Sequence, residues 1–161
     1  VSNPVPVSAE HAEPVEIALI VRRTIRASAQ RVFQAWTRPE ELRKWWGPKL
    51  TKCMDAEVDL RVGGTYRIAN QFPDGRVVWI SGEFERIEAP HQLVYTWRIG
   101  QEQNPETLER VTVRFEPREG ATEVIVIHER IANRATRDGH QQGWDGCLDG
   151  LFRFLSAGVD V

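Results

Sequence analysis

The chain has 161 residues, 41% of them hydrophobic and 27% charged, with a net charge of −2 at pH 7. That length suits one domain with a proper core, and the near-neutral balance removes the electrostatic case for nucleic acid or an anionic membrane surface. No run approaches the roughly 18 apolar residues of a membrane span. Cys53 and Cys147 lie far apart without C-x-x-C spacing, as expected of reduced thiols in a cytoplasmic protein.

Residues 1–15 carry three prolines and no hydrophobic period, the composition of a flexible tail. They offer neither the basic nor the apolar region of a secretory signal. The folded domain is expected over residues 16–161. Ile17 to Arg26 is predicted as the first strand, with Val21, Arg23 and Ile25 sharing a face. Ser28 is placed to cap a short helix from Gln30 to Trp36, whose apolar stripe is Val32, Phe33 and Trp36. Pro39 then opens a second short helix, with Glu40 and Glu41 at the positive end of its dipole. Leu42, Trp45 and Trp46 give it an apolar side, and Gly47-Pro48 ends it.

From Met54 the pattern changes to period two. Met54 to Val62 is predicted as a strand, reversed at Gly63-Gly64 into Thr65 to Asn70. Pro73-Asp74-Gly75 marks a second hairpin turn. Arg76 to Glu88 follows as a long strand with a bulge or bend expected at Gly82. Pro90-His91 turns into Gln92 to Ile99, where Leu93, Tyr95 and Trp97 share a face, and Gly100 to Glu106 is a polar loop. Leu108 to Pro117 puts Val111, Val113 and Phe115 on one side. After Glu119-Gly120, the strand from Thr122 to Ile131 brings Val124, Val126 and His128 into line.

The last stretch, His140 to Leu155, organises the rest. Trp144, Leu148, Leu151, Phe152 and Leu155 recur at the spacing of an amphipathic helix, with Asp145, Asp149 and Arg153 on an opposing arc. Gly139, Gly143, Gly146 and Gly150 line up between the two arcs. Each costs roughly 0.8–1.0 kcal/mol against alanine in a helix interior. Such a strip leaves room for a ligand, admits close backbone packing on a neighbouring element, or marks a helix that starts late. The element order predicts an α+β domain: a curved antiparallel sheet of about seven strands wrapped around a long C-terminal helix, with two short helices after the first strand plugging an open end. An incompletely filled grip of this kind leaves a cavity, the default place for a small ligand.

Several motifs occur in a characteristic order: Arg23 to Ser28, Ala35 to Leu42, Trp45-Trp46-Gly47-Pro48, Asp59 to Tyr66, Pro73-Asp74-Gly75, His128-Glu129 and Gly143-Trp144 to Leu151. Over residues 17–158 the chain resembles the family of proteins similar to the C-terminal domain of the activator of Hsp90 ATPase. That family lies within the START-like (SRPBCC, Bet v 1-like) helix-grip superfamily. The resemblance implies the helix-grip fold, a hydrophobic cavity and no cofactor. Through the co-chaperone it also implies a Hsp90-type contact and a stress-response role. The superfamily includes lipid carriers, hormone receptors and polyketide cyclases, so the family implies no single reaction. The eukaryotic co-chaperone carries a separate N-terminal domain that supplies much of its client contact. Here a short tail stands before the fold, which weighs against chaperone activation.

Strand parity places Arg23, Tyr66, Tyr95, Trp97 and His128 on core faces. Arg23 is the candidate anchor for a carboxylate, and His128 the candidate acid or base. The alternatives are an ion pair of Arg23 with a neighbouring strand's glutamate and a His128 satisfied by a backbone carbonyl. The expected cavity wall adds Trp45, Trp46, Trp79 and Val113, with Gly143, Cys147 and Leu151 from the helix. Trp45 and Trp46 are expected to form a lid, one ring buried and the other nearer the mouth. No metal site is expected, since His11, His91, His128 and His140 lack ligand-set spacing. G-x-S-x-G, P-loop and G-x-G-x-x-G motifs are absent. Three functions remain: binding of a small hydrophobic or aromatic ligand, a cyclase, dehydratase or hydrolase acting in the same cavity, and a co-chaperone-like interaction module. An exposed edge strand leaves a homodimer open.

Overall fold

Alternation of buried and exposed side chains over Ile17–Ile25 builds the first strand, β1. The structure, a computed structural model, describes residues 17–100 and 108–156. The predicted tail over 1–15 lies outside those residues, as does the predicted polar loop beyond Gly100. After β1 come helices α1 (Ala29–Thr37) and α2 (Pro39–Trp45). Six strands follow: β2 (Lys52–Val58), β3 (Thr65–Gln71), β4 (Val77–Glu88), β5 (Gln92–Ile99), β6 (Glu109–Arg118) and β7 (Ala121–Ile131). Helix α3 (Arg134–Ser156) closes the described fold.

The strands form one antiparallel sheet in the order β1-β7-β6-β5-β4-β3-β2. Hairpin turns set that order for β2 to β7, and the first strand joins at the far edge beside the last. This is the curved seven-stranded sheet and C-terminal helix of a helix-grip fold. Helix α3 lies against β1, β7 and α2, while α1 covers β6 and β7. Phe115, Leu93, Ile131, Leu148 and Leu151 sit in the dry centre. No helix among the described residues is long and apolar enough to cross a membrane.

Local chemistry accounts for the boundaries. The Ser28 hydroxyl accepts the Arg31 backbone N–H at 3.1 Å and starts α1. Pro39 opens α2, with Glu40 and Glu41 in its first turn. Helix α3 starts six residues before its predicted His140, because Asn133 caps it by accepting the Thr136 N–H at 2.8 Å. Its first turns are polar, so no apolar period announces them. Strand β2 stops at Val58 rather than Val62. Asp59 to Gly64 are used in the reversal, where Gly63 has φ +85° and Gly64 donates to the Arg61 carbonyl. The β4 bulge falls between Phe84 and Arg86, not at Gly82. Gly82 instead admits the Thr96 backbone, whose carbonyl oxygen a Cβ would overlap.

Five tryptophans knit the helices to the sheet. Trp36 contacts Trp45 at 5.0 Å between ring centroids, and Trp144 contacts Trp46 at 5.4 Å and Trp97 at 5.5 Å. Trp45 and Trp46 are both buried, at 4% and 5% exposure, so the expected lid with one ring free is not formed. The two rings are packed inside by Trp36 and Trp144.

Candidate functional site

Between α3, the Pro48-Lys49 segment and strands β3 to β5 lies an open-mouthed cleft of about 350 Å³. Trp46, Trp97 and Trp144 form its aromatic side, and Phe72, Val78, Ile80 and Ile99 its sheet side. Helix α3 contributes Gly139, His140, Gln142, Gly143 and Cys147. Behind Trp46 and Trp97 is a separate void of about 20 Å³, also bordered by Trp36, Tyr66 and Tyr95.

The glycine strip shows why the cleft sits at this end of the helix. A Cβ on Gly150 would overlap the Trp45 carbonyl oxygen, and one on Gly146 would lie 2.7 Å from the Lys49 nitrogen. At Gly143 the nearest neighbour is Pro48 Cγ at 3.8 Å, and at Gly139 nothing lies within 4 Å. The C-terminal half of the strip therefore admits close backbone packing, and the N-terminal half faces open space. The expected close backbone packing is thus found at one end of the strip.

Three buried polar atoms on the cleft residues lack a hydrogen-bond partner among the described residues: Trp46 Nε1, Trp97 Nε1 and Asn70 Oδ1. Other indoles in the cluster are satisfied. Trp45 Nε1 donates to the Ala35 carbonyl at 2.9 Å and Trp144 Nε1 to His128 Nδ1 at 3.0 Å. Orphaned buried groups are uncommon in folded proteins, and each calls for a reason.

A polar cluster borders the cleft. Glu109 Oε1 lies 2.7 Å from His128 Nε2 and 2.9 Å from His140 Nε2, and the two imidazoles stack at 4.5 Å. Trp144 decides the protonation of His128. An indole N–H can only donate, so Nδ1 carries the lone pair and Nε2 the proton given to Glu109. Burial, more than it is offset by Glu109, holds His128 below its ordinary range. Burial alone would push Glu109 up, but the hydrogen bonds from His128 and His140 outweigh it and its carboxyl lies low. The three side chains have the types and proximity of a metal set. Ligation through His128 Nε2, however, needs a proton on Nδ1, where Trp144 already presents one. The cluster therefore reads as a hydrogen-bonded array rather than a metal centre.

Among the residues singled out from sequence, Trp46, Trp97, Gly143 and Cys147 line the cleft, and Tyr66 and Tyr95 border only the smaller void. Arg23 does not enter either. It pairs with Asp149 at 2.5 Å, on the helix rather than on a strand, and lies 4.8 Å from the Phe152 ring centroid. Trp79 points to the other sheet face, with the Arg67 guanidinium 4.2 Å from its ring centroid, since strand parity turns Val78 and Ile80 inward. Val113 and Leu151 are solid core at 0% exposure. Trp45 borders a shallow hollow beside Arg153 and not the cleft. His128 is fully enclosed, and the imidazole on the cleft wall is His140. Sequence reasoning missed Asn70, Phe72, His140 and Glu109. Asn70 stands alone in a strand, Phe72 falls beside a turn, and Glu109 and His140 are 31 residues apart.

Residues 26–156 match the family described as Activator of Hsp90 ATPase homolog 1-like protein. No curated protein matches the sequence. Solved structures share the fold. A protein from Chromobacterium violaceum is similar at 24% identity and TM-score 0.78, over 86% of this chain and 96% of its own. An AHSA1 protein from Silicibacter pomeroyi gives 20% and 0.76, over 88% and 99%. An AHSA1-like protein from Aeromonas hydrophila, solved in solution, gives 24% and 0.74, over 89% and 94%.

Proposed function

For a chain that belongs to the family of Activator of Hsp90 ATPase homolog 1-like proteins, we propose binding of a small hydrophobic or aromatic molecule in the cleft between sheet and α3. The observation that carries this reading is the set of orphaned polar atoms on Trp46, Trp97 and Asn70, within walls that are mostly aromatic and aliphatic and carry Lys49, His140 and Gln142 as further polar side chains. Apolar walls with a few polar groups are the usual composition of a small-molecule site. Two unpaired donors and one unpaired acceptor favour a guest with both an acceptor and a donor, seated after a small shift of the rings that now cover those atoms. The cleft of about 350 Å³ suits a bicyclic aromatic. Binding alone is proposed, without turnover, in the cytoplasm, where the free and buried Cys53 and Cys147 need no oxidising compartment.

The test is calorimetric titration and thermal shift with a panel of aromatic and aliphatic compounds. Gly143→Leu, which fills the cleft from the helix, should abolish binding while leaving the fold intact. Arg23→Ala should leave affinity unchanged, because Arg23 lies outside the cleft. A panel without a single binder, or binding that survives Gly143→Leu, overturns the reading and moves the weight to a protein partner.

A further inference from the structure

His140 is held on three sides. Its ring stacks on His128 at 4.5 Å, meets Trp97 edge-on at 6.1 Å, and its Nε2 is 2.9 Å from Glu109 Oε1. His128 in turn is fixed by Trp144, so the carboxylate accepts one proton-bearing nitrogen from each imidazole. With Nε2 committed to Glu109, the lone pair available to a ligand is the one on Nδ1. That nitrogen has no hydrogen bond among the described residues and is not among the fully buried unpaired atoms, so solvent reaches it. The solvent that His140 borders is the cleft. A carboxylate behind one nitrogen and an open lone pair on the other is the arrangement of a general base. The other charged or titratable groups around it are His128 and Glu129 on β7, Lys49 at the cleft mouth, and Arg137 and Asp138 on α3. Arg137 is occupied by the Ala18 carbonyl, Asp138 and Gln141.

Resting on the cleft reading, we infer that the Glu109–His140 pair is a proton-accepting site, and that the ligand it selects is an aromatic molecule bearing an acidic hydroxyl. The hydroxyl donates to His140 Nδ1. In the transfer, the O–H bond breaks and an Nδ1–H bond forms. The electron pair stays on oxygen as an aryloxide, and the new imidazolium is held by the Glu109 carboxylate through Nε2. Nothing is oxidised or reduced. Lys49 supplies a cation at the same cleft for the aryloxide. The Glu109–His140 pair is a binding and ionising subsite of its own, distinct from the apolar wall that any aromatic guest would use.

Titration calorimetry with 2-naphthol and with its methyl ether, 2-methoxynaphthalene, separates the two ideas. The wild type should prefer the naphthol by about tenfold, the scale of a hydrogen bond to a charged partner. The naphtholate band should grow on binding at neutral pH, read by difference absorbance. His140→Leu should lose both the preference and the band, while its affinity for the ether changes little. Glu109→Gln, which keeps the ring contact, should weaken the band. Equal binding of the two compounds to wild type, or a preference that survives His140→Leu, overturns this inference and leaves the cleft reading standing. Binding of neither compound overturns this inference, and the cleft reading falls with it only if the whole panel gives no binder.

Discussion

Replacing single glycines of α3 by alanine should give opposite signs at the two ends of the helix. Alanine in place of glycine in a helix interior is worth about 0.8–1.0 kcal/mol. At Gly139 a new Cβ meets nothing within 4 Å, so Gly139→Ala should realise the full gain of about 1 kcal/mol. At Gly150 the same Cβ overlaps the Trp45 carbonyl oxygen, a backbone atom at the C-terminal end of α2 that yields only if that helix moves. Overpacking of that kind costs about 1–3 kcal/mol, which offsets the propensity gain and leaves a net loss of up to about 2 kcal/mol. Urea denaturation followed by tryptophan fluorescence reads both variants, with an unchanged m-value required for a valid comparison. Equal stabilisation by the two substitutions would refute the close-packing account of the C-terminal half of the strip.

Acid should weaken the fold in two windows. Both His128 and Glu109 bind protons more weakly folded than unfolded, so the unfolded chain gains protons as pH falls. Stability should be full above the ordinary histidine value of 6.5, and fall as pH drops through the folded value of His128. It should fall again below 4.5 as Glu109 is protonated. Denaturation against pH checks this, and His128→Gln should flatten the upper window; a wild-type profile flat between those values would contradict it. Trp45→Phe should cost more stability than Trp46→Phe by about 1–3 kcal/mol, the penalty for leaving a buried carbonyl unpaired. Of these two indoles, that of Trp45 has a partner, the Ala35 carbonyl, and that of Trp46 has none among the described residues. Equal losses in paired denaturation curves would remove the distinction between satisfied and orphaned indoles.

The fold was legible because its signals are local and repeated. Period-two alternation over β3 to β7, Ser28 as a cap, Pro39 at a helix start and the apolar arc from Trp144 to Leu155 each demand one conformation. The site was less legible because parity tells which face a residue occupies but not what stands opposite. Arg23 lies on the core face of β1, yet Asp149 and Phe152 of α3 meet it at the rim. Trp79 is expected on the cavity wall from sequence, yet its neighbours Val78 and Ile80 take the inward positions. His128 was marked by its alternation with Val124 and Val126, and that same regularity encloses it completely. Glu109 and His140 meet only through the pairing of β6 with β7 and the rotation of α3, which no short window contains.

That rotation has a physical cause. His140 and Trp144 are four residues apart and so share one face of α3. The first bonds Glu109 of β6 and the second His128 of β7. Val111, two residues beyond Glu109, is paired in register with His128, so the two partners sit on adjacent strands. A slip of α3 by one residue would turn both side chains by about 100°, taking His140 off Glu109 and the Trp144 donor off His128, while the His128–Glu109 bond between the strands stays. An apolar seam would tolerate the slip far better, since hydrophobic contact has no direction. The buried array thus fixes helix register, and register decides which glycines meet the Trp45 to Lys49 segment and which are left facing open space. Gly146 and Gly150 fall against backbone, Gly139 and Gly143 do not, and the cleft begins where that contact stops. The polar cluster and the cleft are consequences of one constraint, which is why His140 stands both in the array and on the wall.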